Sequence, residues 1–143
     1  MDHTSGALLS AFSFTWLGML IGISFIEAPL KFRAPGVTIP LGLGIGRLVF
    51  RALNVVECVL ALGLVVAVAL GGFPTPASVL LLAVLVLLAI QLAAVRPRLN
   101  RRTDHVLSAP AGADLPRSQA HLAYVGIEVL KVAALVALGI TGL

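Results

Sequence analysis

Four long apolar stretches alternate with shorter polar or proline-rich links along the chain. They run over residues 7–30, 48–70, 77–95 and 120–140. A helix needs about 20 apolar residues to cross the roughly 30 Å hydrocarbon core of a bilayer, and each stretch is close to that length. The pattern predicts one domain, residues 1–143, with an all-α fold: an integral membrane four-helix bundle.

The composition supports a lipid environment. Hydrophobic residues make up 59% of the chain and charged residues 11%, with a mean hydropathy of +1.09. Soluble domains carry about 25% charged residues, so a water-soluble fold of this composition would lack polar surface. The pI of 10.2 would suit nucleic acid. However, the basic residues flank apolar stretches and do not cluster on a polar face. The expected partner is the lipid bilayer, and no nucleic acid.

The links differ in character. Residues 71–76 read Gly-Gly-Phe-Pro-Thr-Pro, which predicts a tight turn. Residues 33–46 mix prolines and glycines with apolar residues. We expect this segment to lie at the membrane interface or to re-enter between helices, because it is too broken for a helix. Residues 96–117 are polar and basic, and we expect a solvated loop there.

The distribution of positive charge predicts the orientation. No Lys or Arg lies in the N-terminal tail, the 71–76 turn or the C-terminal tail, and only Arg51 and Lys131 lie inside spans. The positive-inside rule places both longer links in the cytoplasm and both termini outside it. We therefore expect a multi-pass protein of the cell membrane with extracytoplasmic termini. The basic residues in or beside the longer links are Lys31, Arg33, Arg47, Arg96, Arg98, Arg101, Arg102 and Arg117.

Polar residues inside the spans repeat at helical spacing, so each set shares one helix face. Ionisable groups inside a membrane cost several kcal/mol each and commonly face the bundle interior, where they mark function. Measured from the cytoplasmic ends at about 1.5 Å per residue, these groups share one leaflet. They predict an intramembrane polar pocket that opens to the cytoplasm. The candidate ligand-binding residues are Glu27, Arg47, Arg51, Asn54, Glu57, His121, Tyr124, Glu128 and Lys131.

Charge pairing inside the bundle follows from the same depths. An unpaired charge near the membrane midplane is costly, so we expect Lys131 to pair with Glu57 or Glu128. Arg51 is expected to pair with Glu27 or Glu57. The third span offers only one polar residue, a glutamine near its end, and is interpreted as the lipid-facing member. Trp16 is interpreted as a packing or lipid-contact residue.

Several functions fit this pattern. Graded carboxylates with a histidine suit a proton relay or a site for a small polar solute or ion. A membrane-embedded enzyme and a structural accessory subunit remain alternatives, and in the last case the charges form only a scaffolding network. Glu27, Glu57, His121 and Glu128 are the residue types that bind metal, but the Glu-x-x-His pairs of helix-bundle metal sites are absent. No metal is predicted, and no motif identifies a cofactor.

Two small residues on the first span suggest a helix–helix contact. Gly18 and Gly22 form a small-xxx-small pair, which lets two helices approach closely. The pair serves either a contact within the subunit or one between subunits of a homo-oligomer.

One resemblance concerns the first and last spans. Trp16-Leu17-Gly18, Ser24-Phe25, Ala28-Pro29 and Phe32 resemble the opening of the transmembrane-protein-205-like family of small four-helix membrane proteins. His121, followed seven residues later by a polar group, is similar too, with Glu128 where that family usually has asparagine. This resemblance implies a membrane bundle without a defined biochemical activity.

A second resemblance concerns the second span. Arg47, Asn54 and Glu57 resemble the set with which the membrane-associated eicosanoid and glutathione metabolism family binds glutathione at the cytosolic side. The third span lacks that family's basic and tyrosine residues, so the resemblance implies ligand binding more than catalysis. Our preferred hypothesis is a polytopic membrane protein whose cytosol-facing pocket transports or binds a small polar or amphipathic ligand. Glutathione-dependent catalysis on a lipophilic substrate is the alternative.

Overall fold

The protein is all-helical in the part of the chain described by the computed structural model. That part comprises the backbone of residues 1–108 and 119–143, and the side chains of residues 1–108 and 122–143. The helices are α1 (His3–Arg33), α2 (Ile39–Leu70), α3 (Thr75–Ser108) and α4 (Gln119–Thr141). All four are long and apolar enough to cross a membrane, α4 over Leu122–Thr141. The predicted fold class is confirmed to that extent.

The helices form a bundle in which sequence neighbours pack side by side. Helix α1 packs against α2 and α4, and α3 packs against α4 and more lightly against α2. Helices α2 and α4 therefore lie across the bundle from each other. The end of α1, the start of α2, the end of α3 and the start of α4 come together at one end, which we call the basic end. The chain termini and the 71–76 turn lie at the other, which we call the closed end.

Helix α2 begins earlier than the sequence predicts. Residues 39–46 are helical, so the expectation of a broken interfacial segment there is wrong. Thr38 caps the helix by accepting a hydrogen bond from the Leu41 amide at 3.3 Å, and Pro40 lies in the first turn. Proline is tolerated there because the first amides of a helix have no acceptor. Gly42 and Gly46 leave room on one face for side chains of α1.

Helix α3 continues well beyond the predicted span. Residues Arg96–Ser108 are helical, so the expectation of a solvated loop is wrong for them, and residues 109–118 lie outside the described part. Thr103 and Val106 are buried on one face of this extension, which packs against α2. With 34 residues, α3 is about 50 Å long and exceeds the roughly 30 Å hydrocarbon core.

Two helices contain π-helical segments of similar placement. In α1 the segment is Ile21–Glu27, and in α3 it is Gln91–Val95. Each is followed two residues later by a proline, Pro29 or Pro97. Proline removes one helical hydrogen bond and clashes with the carbonyl four residues before it. A wider turn relieves this clash, and such π-turns recur at functional sites.

The closed end is densely packed. The predicted turn is confirmed for residues 71–74, with Gly72 and Phe73 at positive φ values of 74° and 56°, and α3 begins at Thr75. Leu9, Leu64 and Leu138 are fully buried. A Cβ added to Gly6 would lie 2.7 Å from the carbonyl oxygen of Gly142, so the backbones of α1 and α4 touch there.

Candidate functional site

A buried ion-pair network joins α2 and α4. The Lys131 Nζ lies 2.5 Å from Glu57 Oε1 and 2.9 Å from Glu128 Oε1, and all three side chains are at most 1% exposed. The predicted pairing of Lys131 is therefore confirmed. Because α2 and α4 face each other across the bundle, these long side chains cross its centre.

Three neutral side chains complete the network. The Trp16 indole donates to Glu57 Oε1 at 3.0 Å. The Ser24 hydroxyl donates to Glu128 Oε2 at 3.0 Å. The Gln91 amide donates to Glu128 and accepts from Lys131 Nζ at 2.6 Å. We call the six residues the polar cluster: Trp16, Ser24, Glu57, Gln91, Glu128 and Lys131.

Both π-helical segments supply a partner to Glu128. Ser24 lies within the first segment and Gln91 opens the second. Glu128 thus receives hydrogen bonds from α1 on one side and α3 on the other. The third helix, interpreted as the lipid-facing member, is largely exposed along its span, but its Gln91 is fully buried and joins the polar cluster.

A cavity of about 440 Å³ runs from the polar cluster towards the basic end. Glu128 and Ser24 line its inner part, and all four helices contribute to its wall. Most of the wall is apolar. The apolar lining residues are Phe25, Ala28, Pro29, Phe32, Leu43, Phe50, Leu99 and Val125.

Positive charge surrounds the same cavity. Lys31, Arg47, Arg96 and Arg102 line it, whereas Glu128 is the one carboxylate among the described lining residues. Arg96 is only 9% exposed, and among the described residues no carboxylate pairs with it. Burying a charge is costly unless it is paired. This guanidinium is therefore a buried cation that lacks a carboxylate partner among the described residues.

Aromatic rings hold these cations in place. The Arg96 guanidinium lies 5.7 Å from the centroid of the Phe50 ring, and Lys31 Nζ lies 5.7 Å from the same centroid. Both distances fall in the range of cation–π attraction. The Tyr124 ring meets Phe50 edge-on at 5.4 Å. The Tyr124 hydroxyl lines the cavity and is buried without a protein partner among the described residues.

Three predicted site residues on α2 lie outside the polar cluster. Arg47 contacts Asp104 of α3 at 2.5 Å and forms part of the cavity mouth. Arg51 is exposed, and the described ion pairs do not connect it to Glu27 or Glu57, so its predicted pairing is wrong. Arg51 and Asn54 line a neighbouring groove between α2 and α3, which shares Arg47 and Arg96 with the cavity wall. Within two turns of α2 the chain thus passes from the exposed Arg51 to the fully buried Glu57.

Two further candidates do not join the polar cluster. Glu27 is partly exposed and pairs with Lys31 at 3.6 Å. His121 lies in α4, but its side chain is outside the described part. Among the described residues, no group of three His, Cys, Asp or Glu is placed to hold a metal ion.

Sequence reasoning missed Trp16, Gln91 and Arg96 as site residues. A signal existed for the first two, because buried polar groups in a membrane require partners. A lone glutamine among Leu, Val and Ala, and a tryptophan near the middle of a span, both indicate a polar neighbour. Arg96 was assigned to a loop, so its burial could not be anticipated.

The small residues Gly18 and Gly22 have no heavy atom within 4 Å of an added Cβ. They do not form a close helix contact within the described part of the chain.

Comparison with known proteins adds no identity, since no family model, no characterised protein and no solved structure matches the chain.

Proposed function

We propose that this multi-pass membrane protein binds an anionic amphipathic molecule in the cavity at its basic end. The acidic head would pair with Arg96, and the apolar body would lie against the aromatic and aliphatic wall. The observation that carries the proposal is a buried arginine, unpaired among the described residues, that lines a 440 Å³ cavity. Ligand pockets of such size are usually mostly apolar with a few placed polar groups.

The charge balance of the cavity favours an anion over a cation. A cationic ligand would meet Lys31, Arg96 and Arg102 before it reached Glu128. An anion replaces the partner that Arg96 lacks and gains a charge-assisted hydrogen bond. The hydroxyl of Tyr124 offers a further hydrogen bond to the same head group.

The orientation belongs to the proposal. With both termini outside the cytoplasm, as the positive charges predict, the cavity would open to the cytoplasm of a cell-membrane protein. Fusions after Leu143 should then give active alkaline phosphatase and dark green fluorescent protein in a bacterial host. A fluorescent fusion would reverse the orientation and place the cavity on the outer face, without altering the ligand class.

Binding can be tested with a dansyl-labelled fatty acid and the purified full chain in nanodiscs. We expect saturable binding of the acid and little binding of its neutral methyl ester. Arg96→Gln should weaken binding about tenfold or more, because a hydrogen bond to a charged group contributes about 1.5–3 kcal/mol. Equal binding of the ester and the acid would contradict the anion site.

Arg101→Gln is the matched control. It lies on the same extension of α3, is exposed and does not line the cavity. Its affinity for the labelled acid should equal that of the wild-type protein. An equal loss in both variants would indicate surface attraction by the basic end and would remove the specific role of Arg96.

Glutathione is the second candidate, because it is anionic and because Arg47, Asn54 and Glu57 resemble a glutathione-binding set. The set is split here: Arg47 and Asn54 both line the α2–α3 groove, but Glu57 lines neither the groove nor the cavity and is enclosed with Lys131. Glutathione should therefore fail to displace the labelled acid at millimolar concentration. Displacement that is lost in Arg47→Ala would favour the glutathione-dependent alternative.

A further inference from the structure

The polar cluster contains unequal numbers of acidic and basic groups. Glu57 and Glu128 are two carboxyl groups, and Lys131 is the only cation paired with either of them in the part of the chain that the structure describes. With every group ionised, the cluster would carry a net charge of −1 at a site that is at most 1% exposed. Arg96, the buried cation of the cavity wall, forms an ion pair with neither carboxyl group among the described residues. A buried group in that situation neutralises, since an isolated charge in a low-dielectric interior is very costly.

We infer that the polar cluster binds one proton, held by Glu57, while Glu128 remains ionised and paired with Lys131. The site lies deeper than the proposed ligand cavity and does not depend on any ligand.

The hydrogen bonds of Glu57 fit a neutral carboxyl group. Both donors to this side chain, the Trp16 indole and the Lys131 ammonium, meet the same oxygen, Oε1. The other oxygen, Oε2, is buried and receives no hydrogen bond from the described residues. A protonated carboxyl group has this division, because its carbonyl oxygen accepts and its hydroxyl oxygen carries the proton.

The surroundings of Glu128 fit a carboxylate. Its Oε1 meets Gln91 and Lys131, and its Oε2 accepts from Ser24, so both oxygens are engaged by donors. Hydrogen bonds to the charged form of a carboxyl group favour that form. The Lys131 ammonium has three protons and three acceptors, on Glu57, Gln91 and Glu128.

The cavity gives this proton a route to water. Glu128 and Ser24 line the cavity, whereas Glu57 does not. A proton that arrives on Glu128 can be taken up by Lys131 as the ammonium donates one of its own protons to Glu57 Oε1. Rotation of the neutral carboxyl group then exchanges its two oxygens and turns the carbonyl oxygen towards Lys131. The total charge is unchanged: Glu128 returns to the carboxylate, Lys131 remains an ammonium and Glu57 becomes neutral.

Other charged groups lie nearer the cavity mouth and do not contact Glu57. They bias proton entry through their charge but provide no pairing within the cluster. They are Glu27 and Lys31 of α1, Arg47 of α2, Arg96 and Arg102 of α3, and the titratable Tyr124 of α4.

Infrared difference spectra of the full chain in nanodiscs, wild type minus variant, test the assignment of the proton to Glu57. The wild-type protein at neutral pH should show the carbonyl stretch of a protonated carboxyl group, shifted in deuterated buffer and lost in Glu57→Gln. Glu27→Gln is the control and should keep this band, because Glu27 is partly exposed and outside the cluster. A wild-type spectrum without the band, or a band that persists in Glu57→Gln, would overturn the inference.

Melting temperatures provide an independent test. Glutamine is nearly isosteric with a neutral glutamic acid, so Glu57→Gln should melt close to wild type at neutral pH. Glu128→Gln should melt lower, because Lys131 then loses its ionised partner. The reverse order, or a Glu57→Gln protein that does not fold, would contradict a neutral Glu57.

A bound sodium ion is the competing way to balance the charge. It would raise the melting temperature in sodium chloride relative to equal choline chloride and would leave no protonated carboxyl band. These two results together would show that a sodium ion, and not a proton, balances the charge of the polar cluster. Ligand binding in the cavity is measured separately, so the anion proposal can fail while the proton site stands.

Discussion

The two ends of the bundle differ in how closely their helices pack. At the closed end, α1 and α4 touch through backbone atoms, and the Ser10 hydroxyl donates to the carbonyl oxygen of Gly139 at 2.8 Å. At the basic end the same helices are separated by a cavity of about 440 Å³. Glycine and leucine close one end, and charged, aromatic and π-helical features hold the other open.

The difference locates the working part of the molecule. Close-packed apolar layers exclude water and resist rearrangement. Among the described residues, the basic end carries two buried groups that line the cavity and can gain a partner there: Arg96 and the Tyr124 hydroxyl. Under the proposed function a ligand or a proton would therefore enter from the basic end, and passage to the other side would require the closed end to separate.

Breaking the buried ion pair should have the largest effect. Lys131→Met leaves a buried carboxylate without a cation, which costs about 3–5 kcal/mol. The measurement is the free energy of unfolding of the purified protein in detergent. Lys131→Met combined with Glu128→Gln should recover much of the loss, because the double variant removes both charges.

Lys31→Met is the matched control for this change. The Lys31 side chain is 10% exposed, but its partner Glu27, at 3.6 Å, is 35% exposed and screened by solvent. A pair screened in this way contributes far less than a fully buried one. Its loss of stability should be correspondingly small. If Lys131→Met cost no more than Lys31→Met, the buried network would not support the fold. A double variant with wild-type stability but without ligand binding would assign the network a functional role.

A smaller effect is expected from a single methyl group at the closed end. Gly6→Ala places a Cβ against the Gly142 carbonyl, 2.7 Å away, and overpacking of this kind costs about 1–3 kcal/mol. Gly18→Ala, on the same helix, meets nothing within 4 Å and should stabilise by up to about 1 kcal/mol through helix propensity. Thermal unfolding of both variants measures the difference.

The corresponding glycine at the basic end should tolerate the same change. A Cβ on Gly46 would lie 2.9 Å from Lys31 Nζ, the free end of a flexible side chain that can move aside. Gly46→Ala should therefore change stability less than Gly6→Ala. If Gly46→Ala proves the more harmful of the two, the basic end is packed as tightly as the closed end.

The sequence predicts the spans better than their ends. Membrane thickness sets the length of an apolar helix, so four spans follow directly from four apolar stretches. The start of α2 depends instead on a tertiary contact, since Gly42 and Gly46 accommodate Phe32 and Lys31 of α1. The extension of α3 is held by its packing against α2, including the Arg47–Asp104 pair.

The candidate site shows the same division. Helical spacing is sufficient to predict that Glu57, Glu128 and Lys131 converge, because ionisable groups in a span must face inward. Helical spacing does not give the rotation of α2 about its axis accurately enough to exclude Arg51, whose side chain is exposed in the structure. Trp16 and Gln91 are isolated in their helices, so no repeat within one helix indicates them.

The closed end also has an electrical consequence. Glu57 lies thirteen residues before Leu70, which is about 20 Å of helix, and that length is packed with apolar side chains. A transmembrane voltage would fall mainly across this insulating layer, because the cavity on the other side is open. A proton that enters through the cavity would cross little of the voltage. One that came through the closed end would cross most of it, at about 2.3 kcal/mol per 100 mV.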